Sequence, residues 1–500
     1  MSAGPGTDAG LPHHRLFIGG QWREGRAAKR FDAINPYTGK AWATVAQAEA
    51  VDVLAAIATA QQTFDRTWSK TNGYERGRLM LKLADLLEQD APRMGRLEST
   101  DNGKIIRETQ VQMVLAARQY RFFAGYADKL WGQQIPLDQR DVLDYSTREP
   151  FGVVGLITAW NSPMGLLANK LAPALAAGNC VVVKPSEHAS VTTLEFCRLI
   201  EAAGFPGGVV NVVCGAADVG RALVEGGIAK VSFTGSPAVG REIAAAAGRR
   251  LIPVTLELGG KSPNIVFDDA NFDQAAVGAL AGIFGATGQT CVAGSRLLVH
   301  RSIQDRMVET LAARASAVRL GDPLDPATDM GTVANEPQFR RILHFIERAR
   351  SEGARLVSGG EAARGPGLEQ GFFIRPTVFA DVRNDMELAQ EEIFGPVLAV
   401  IPFDDEEHAV RLANETRYGL AAGVWTENLS RALRVSRALR AGQVWVNTYR
   451  ALAVQTPFGG FKESGFGREK GEQALNEYLA AKNVMIDFSN VVRDPFAMRT

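Results

Sequence analysis

Cys291 lies between two glycines in Gly288-Gln289-Thr290-Cys291-Val292-Ala293-Gly294-Ser295-Arg296. A thiolate is the readiest nucleophile among side chains at neutral pH, whereas an unreactive buried cysteine is only a small hydrophobe. Which applies here depends on whether the chain also supplies an oxyanion donor, a base and an acceptor. Asn161, in Trp160-Asn161-Ser162-Pro163, carries an amide that can donate to a developing oxyanion or close an Asx turn. Glu257, in Leu256-Glu257-Leu258-Gly259-Gly260, is a carboxylate in an apolar run, a base if desolvated and an ion-pair partner otherwise. Lys184 and Glu187, in Lys184-Pro185-Ser186-Glu187, suit a ribose or a phosphate, or pair with each other. A carboxylate there favours a ribose diol and repels a 2′-phosphate. Gly235-Ser236 through Gly240 opens a helix, where backbone N–H groups and the helix dipole attract pyrophosphate. Ser236 alone could also be a plain helix cap.

The elements that must position these residues alternate. Short apolar strands are expected at Gly152 to Ala159, Cys180 to Val183, Val209 to Val213, Lys230 to Phe233 and up to Glu257, with helices at Gly165 to Ala177 and Thr192 to Ala203. Such alternation predicts a parallel α/β sheet with ligands outside the carboxyl ends of its strands, and the polar and glycine-bearing stretches fall at those ends. The second half repeats the texture. Strands are expected at Asn264 to Phe267, Arg296 to His300, Pro396 to Phe403, Ala422 to Trp425 and Gln443 to Asn447. Before Asp141 the chain reads as scaffold, with one helix whose face holds Val51, Leu54 and Ala58, a second with Leu79, Leu83, Leu86 and Leu87, and a third from Thr109 to Trp131. Met1 to Arg15 reads as a floppy leader without the apolar core of a signal peptide.

Composition removes several classes. Lys plus Arg and Asp plus Glu are both 55, so no basic footprint for nucleic acid is present. No apolar run reaches membrane-spanning length. The four cysteines have no CxxC spacing, which indicates a reducing, cytoplasmic setting. The six histidines show no HExxH-type spacing, so no metal is expected.

Taken in order, WNSP, KPSE, FTGSxxxG, LELGGKSP, GQTCVAGSR, EEIFGPV and PFGGFKxSGxGRE resemble the aldehyde dehydrogenase superfamily, from about Leu16 to Ile486. The resemblance implies a Rossmann-like cofactor domain (1–133 and 152–257), an α/β catalytic domain (258–481) and small β oligomerisation strands (134–151 and 482–500). It implies Cys291 as nucleophile and Asn161 with the Cys291 N–H as oxyanion site. Glu257 is then the base that hydrolyses the thioester, and Lys170 with Glu469 a proton relay. The cofactor, NAD with NADP possible, would meet Lys184, Glu187, Ser236, Gly235, Gly240, Trp160, Glu392 and Phe394. A small-molecule aldehyde and assembly as a homodimer or homotetramer are the partners implied; neither nucleic acid nor membrane is.

Departures from the family pattern bear on the substrate. Where several members carry large aromatics in the entry tunnel, this chain has Ser162, Asn169, Gly285 and Leu452, and Thr290 flanks the nucleophile. The expectation is a wide, partly polar tunnel for a bulky aldehyde or semialdehyde. Arg450 either meets an oxygen-rich end of the substrate or forms an ion pair. A cofactor-independent thiol esterase and a non-catalytic protein on the same fold stand as alternatives.

Overall fold

The computed structural model describes residues 10–491 and 496. Two large sheets carry the fold. The first has eight strands in the order Gly465–Phe466, Val254–Glu257, Lys230–Thr234, Val153–Ile157, Cys180–Lys184, Val210–Val212, Leu16–Ile18, Gln21–Arg23. Its five central strands are parallel. Their sequences are nearly all apolar because both faces are covered by helices. From Val153–Ile157 the chain winds outward through Cys180–Lys184 and Val210–Val212, then returns to lay Lys230–Thr234 on the other side. That reversal opens a crevice beyond the carboxyl ends of Val153–Ile157 and Lys230–Thr234.

The second sheet has seven strands in the order Arg355–Ser358, Thr377–Ala380, Val397–Phe403, Arg296–His300, Pro263–Val266, Ala421–Trp425, Gln443–Val446, parallel except for the first. Cys291 precedes one of these strands and Glu392 another, so this sheet presents amino ends to the crevice. The carboxyl ends of one sheet thus face the amino ends of the other. The join is tight. Gly465–Phe466, from late in the chain, pairs antiparallel with Val254–Glu257, and Leu258 N donates to Ser464 O at 3.0 Å. Asn179 Nδ2 donates to Tyr478 O at 2.9 Å, and Ala474, Leu475 and Tyr478 are buried in the core of the first sheet.

A third, three-stranded sheet stands apart, with Leu479–Asp487 pairing along the full length of Val142–Pro150 and no strand beyond it among the described residues. Met485, Ile486 and Phe488 are exposed there. The expected element extends to 500, of which 492–495 and 497–500 lie outside the described residues.

Local expectations fail in instructive places. The expected leader is only partly outside the described residues, at 1–9. His13–His14 forms a strand parallel to Lys40–Ala46, with His13 bonded to Thr44 and Glu24. In the helix Ala50–Arg66, Val51, Leu54 and Ala58 do share a face, but it is the exposed one; Val53, Ala56, Ile57 and Ala60 are buried. Two alanines share the inner stripe with Val53 and Ile57, and lone exposed aliphatics carry little penalty. The third helix is Ile106–Ala124 and stops short of Trp131, which is exposed. Helices at Ala91–Asn102, Ala217–Glu225 and Phe272–Phe284 were not anticipated. All four cysteines are unpaired. Among the described residues no helix is long and apolar enough to cross a membrane.

Candidate active site

The crevice divides into two joined cavities. The outer one, about 580 Å³, is lined by Lys184, Ser186 and Glu187 at one end and by Gly235 and Ser236 at the other. The inner one, about 480 Å³, contains Asn161, Glu257, Cys291, Glu392 and Phe394. They share Trp160, Thr234, Gly235 and Ser236. Residues separated by more than 200 positions thus border one cleft.

At the outer end, Lys184 Nζ lies 3.1 Å from Glu187 Oε2. Burial pushes the Glu187 carboxyl up, but the Lys184 ammonium, a backbone N–H and His188 together outweigh this and hold it below its usual range. In mid-cleft, Ser236 caps the helix Pro237–Arg250, its Oγ accepting from Val239 N, with Pro237 at the first helical position. The same helix end therefore serves as cap and as anion-facing terminus. Thr234 Oγ1 beside it is buried without a hydrogen-bond partner. Gly240 does not line either cavity; a Cβ there would come within 2.6 Å of Leu258 Cδ2, so its glycine serves helix-to-strand packing.

At the inner end, Trp160 and Phe394 meet edge to face at 5.2 Å. Phe394 sits at φ +59°, strain of the kind stored at functional sites. Glu392 Oε1 accepts from Gly260 N at 3.1 Å. A Cβ on Gly259 would lie 2.0 Å from Glu392 Oε2, so glycine is what admits the carboxylate. Burial raises Glu392 to about 7. Gln338 Nε2 donates to Ile393 O and Phe394 O, fixing this loop from behind.

Cys291 is partly exposed in the inner cavity wall. Burial, with the Glu392 and Glu257 charges adding to it, pushes its thiol up to about 12. Glu257 is almost fully buried, and neither carboxylate oxygen has a hydrogen-bond partner. Burial and then the nearby Glu469 charge hold it well above the usual carboxylate range, against the pull of Lys170. Lys170 and Glu469 form a buried ion pair, and Lys170 Nζ also donates to Ser232 Oγ at 3.1 Å. Asn161 Nδ2 donates to Gln289 O at 2.9 Å, two residues before Cys291. An amide has a second N–H to offer.

The substrate-side positions are only partly as expected. Ser162 faces a cation: Lys104 Nζ donates to its Oγ at 2.7 Å and to Gln112 Oε1 at 3.2 Å. Asn169 and Thr290 are partly exposed and Leu452 is exposed. Gly285 does not leave open space. A Cβ there would lie 2.0 Å from Arg450 Nη1, so the volume that the glycine vacates is filled by the guanidinium. Arg450, at φ +60°, donates to Ala281 O at 3.2 Å near the end of the helix Phe272–Phe284 and forms no ion pair among the described residues. Glu108 Oε1, 3.7 Å from the same point, accepts from Ala286 N at 3.0 Å.

Sequence reasoning left the chain before Asp141 as scaffold, yet Asn102 and Lys104 bond to residues of the site. Asn102 Nδ2 donates to Trp160 O and Asn161 O. The Asn102-Gly103 pair closing a helix, with Gly103 at φ +76°, was the available signal.

Across residues 22–484 the sequence matches the aldehyde dehydrogenase family. The chain belongs to that family. As an aldehyde dehydrogenase it is an oxidoreductase that oxidises an aldehyde with a nicotinamide dinucleotide as acceptor. It is 44% identical to (Z)-2-((N-methylformamido)methylene)-5-hydroxybutyrolactone dehydrogenase of Acinetobacter baylyi, over 98% of this chain and 100% of that one. It is 45% identical to cytosolic aldehyde dehydrogenase 1 of Mus musculus, over 96% of each. A crystal structure of betaine aldehyde dehydrogenase from Staphylococcus aureus in complex with NAD+ superposes with a TM-score of 0.95 at 37% identity, covering 97% of each chain. A cofactor-free esterase or an inert structural protein accounts for none of these likenesses, nor for the outer half of the cleft.

Proposed function

We propose that this aldehyde dehydrogenase is of the hydrolytic type, prefers NAD, and acts on a bulky, partly polar aldehyde or semialdehyde. The observation that carries the reading is the convergence of Asn161, Glu257 and Cys291 on one cavity from the facing ends of two sheets. In this reading the Cys291 thiol gives up its proton to solvent, and the sulfur bonds to the aldehyde carbon as the C=O π pair moves onto oxygen. Asn161, through its second amide N–H, and the Cys291 backbone N–H hold the resulting oxyanion. NAD, when bound, supplies the acceptor for the hydride that leaves this carbon and so makes it a thioester. Glu257 then takes a proton from the water that releases the acid. Lys170 and Glu469 pass that proton away from the buried base.

The cleft fits a dinucleotide in its sequence of groups. Lys184 and Glu187 would hold the adenosine ribose, Ser236 and Gly235 at the helix start the pyrophosphate, and Glu392 beside Phe394 and Trp160 the nicotinamide ribose. The unpartnered Thr234 hydroxyl adds a donor at mid-cleft. Glu187, ionised beside Lys184, disfavours a 2′-phosphate. Glu187→Gln is therefore expected to raise KM for NAD and to shift the NADP-to-NAD ratio of kcat/KM upward by about 10-fold or more, through loss of the diol acceptor and of the repulsion. An unchanged ratio in initial-rate assays with both cofactors would sink the preference.

For the substrate, the Lys104–Ser162 contact and Arg450 make the entry wall polar and cationic. The Acinetobacter relative is named for a substituted hydroxybutyrolactone, an oxygen-rich ring compound. An aldehyde panel containing neutral and carboxylate-bearing members tests this. Arg450→Ala is expected to lower kcat/KM for a carboxylate-bearing aldehyde by about 10-fold, the scale of one lost charge-assisted hydrogen bond, while sparing a neutral one. An equal loss for both would leave Arg450 as a helix-end support only.

The three-part division given by the family resemblance is proposed for this chain, with the qualification that residues 465–479 lie against the first sheet. A homodimer or homotetramer is supported by the Leu479–Asp487 edge, with no strand beyond it among the described residues, and by its exposed apolar residues, which an isolated subunit would leave as an aggregation site. Cytoplasmic residence is supported by the four unpaired cysteines and by relatives named cytosolic.

A further inference from the structure

A closed circuit of hydrogen bonds runs behind the nucleophile. It starts where Asn161 Nδ2 donates to Gln289 O at 2.9 Å. The Gln289 side chain is buried and turns away from the cleft: its Nε2 donates to Thr332 O at 3.2 Å, and its Oε1 accepts from Ala334 N at 2.9 Å. Thr332 N donates to Gly103 O at 3.2 Å. Next to Gly103, Asn102 Nδ2 donates to Trp160 O at 3.2 Å and Asn161 O at 3.4 Å, which closes the loop. Four chain segments, 102–103, 160–161, 289 and 332–334, are thereby tied together.

The circuit is built for close approach. A Cβ at Gly103 would lie 1.9 Å from Thr332 Oγ1, and one at Gly331 would lie 2.0 Å from Gly103 O. Gly103 also needs its positive φ. Any side chain at either place would push the 332–334 segment away from Gln289. The nucleophile loop is pinned from its other flank by Tyr449, whose hydroxyl donates to Val292 O at 3.0 Å.

We infer that Gln289 and Asn102 are positioning residues that hold the Asn161 amide and the Cys291 backbone N–H at a fixed separation, so that both reach one oxyanion. Neither side chain lines the cleft, and each acts through another group. The inference rests on the nucleophile and oxyanion roles proposed above. Buried main-chain partners explain the residue types. Gln289 offers one donor and one acceptor to two main-chain groups, and Asn102 spreads one N–H₂ over two successive carbonyls. A site held loosely by such a margin loses rate without losing its parts.

The test compares two reactions of the same thiol. Aldehyde oxidation passes through an oxyanion; alkylation by iodoacetamide does not. Gln289→Met and Asn102→Ala are each expected to lower kcat by about 30-fold, less than the roughly 10²- to 10³-fold cost of removing an oxyanion donor outright, because the donors are displaced and not lost. The alkylation rate of Cys291 and the Kd for NAD should stay within about 2-fold, because neither depends on the oxyanion. Combined, the two changes should cost much less than the product of the single losses, since they open one circuit. Asn211→Ala, which removes hydrogen bonds from Gly19 N and to Val181 O at a side chain that lines neither cavity, calibrates loss of thermal stability alone. Parallel loss of turnover and alkylation, or independent multiplication of the two effects, would overturn the inference. Should Gln289→Met not fold, Asn102→Ala alone carries the comparison. Cys291→Ala, run beside them, abolishes turnover if the underlying reading holds; retained turnover there would fail that reading and not the circuit.

Discussion

Cys291→Ala is expected to reduce aldehyde-dependent formation of reduced cofactor by about 10⁴-fold or more, the scale of removing a covalent catalyst outright. No other thiol can take over. Cys180, Cys197 and Cys214 are buried in the core of the first sheet, where burial pushes each thiol far up. Cofactor affinity should survive, because Lys184 and Glu187 line only the outer cavity and Ser236 sits at the junction of the two; titration calorimetry with NAD checks this against the assay of turnover. The native thiol has its own signature. Burial holds it near 12 in the free enzyme, so its thiolate fraction, and with it the rate of alkylation, should climb about tenfold for each pH unit through the neutral range. A plateau beginning near neutrality would show an already ionised sulfur.

Glu257→Gln should separate the two halves of the reaction. The first hydride per site needs the thiol and the oxyanion donors, so a burst of reduced cofactor close to one equivalent is expected. Steady-state turnover should then fall by about 10²- to 10³-fold, the contribution of a positioned general base. Hydroxylamine, which cleaves thioesters without a base, should restore part of it. The pH profile carries the same information. Burial raises the Glu257 carboxyl, so it loses its charge, and its use as a base, as pH falls through that raised value. Native turnover should therefore decline on the acid side at a higher pH than an ordinary carboxylate would dictate, and the glutamine variant should lack that decline. A burst reduced in proportion to the steady state would assign Glu257 to the first half-reaction instead.

The residues with side-chain chemistry were legible in the sequence, because reactivity is a property of residue type and the α/β alternation placed those types at element ends. The alternation placed Asn161 and Glu257 at strand ends, but Cys291 precedes a strand of the other sheet, and only the ordered motif set, through its family resemblance, joined the three. Asn102 and Gln289 were passed over for the opposite reason. Their partners are main-chain carbonyls and N–H groups, which every residue owns, so no spacing marks them. Gly285 misled because an absent side chain reads as empty space. Only the fold shows that Arg450, from a segment more than 160 positions later, fills it. The Ala50–Arg66 helix misled because two alanines, Ala56 and Ala60, share its inner face with Val53 and Ile57, while the larger Leu54 lies on the exposed side.

The strand pair Gly465–Phe466 with Val254–Glu257 sets an order on synthesis. As the chain leaves the ribosome, the strand that ends in Glu257 emerges with an open edge and remains so until some 200 further residues have been made. The first sheet can collapse early, but its final strand arrives nearly last, and with it Ser464, which bonds Leu258 and Gly259. Long-range pairing of this kind is slow, and an uncovered edge invites association with other nascent chains. The Glu257 carboxylate, the proposed base, is therefore among the last features to be shielded from water. A chain interrupted before Ser464 would hold most of its residues yet present an incomplete sheet to chaperones and proteases.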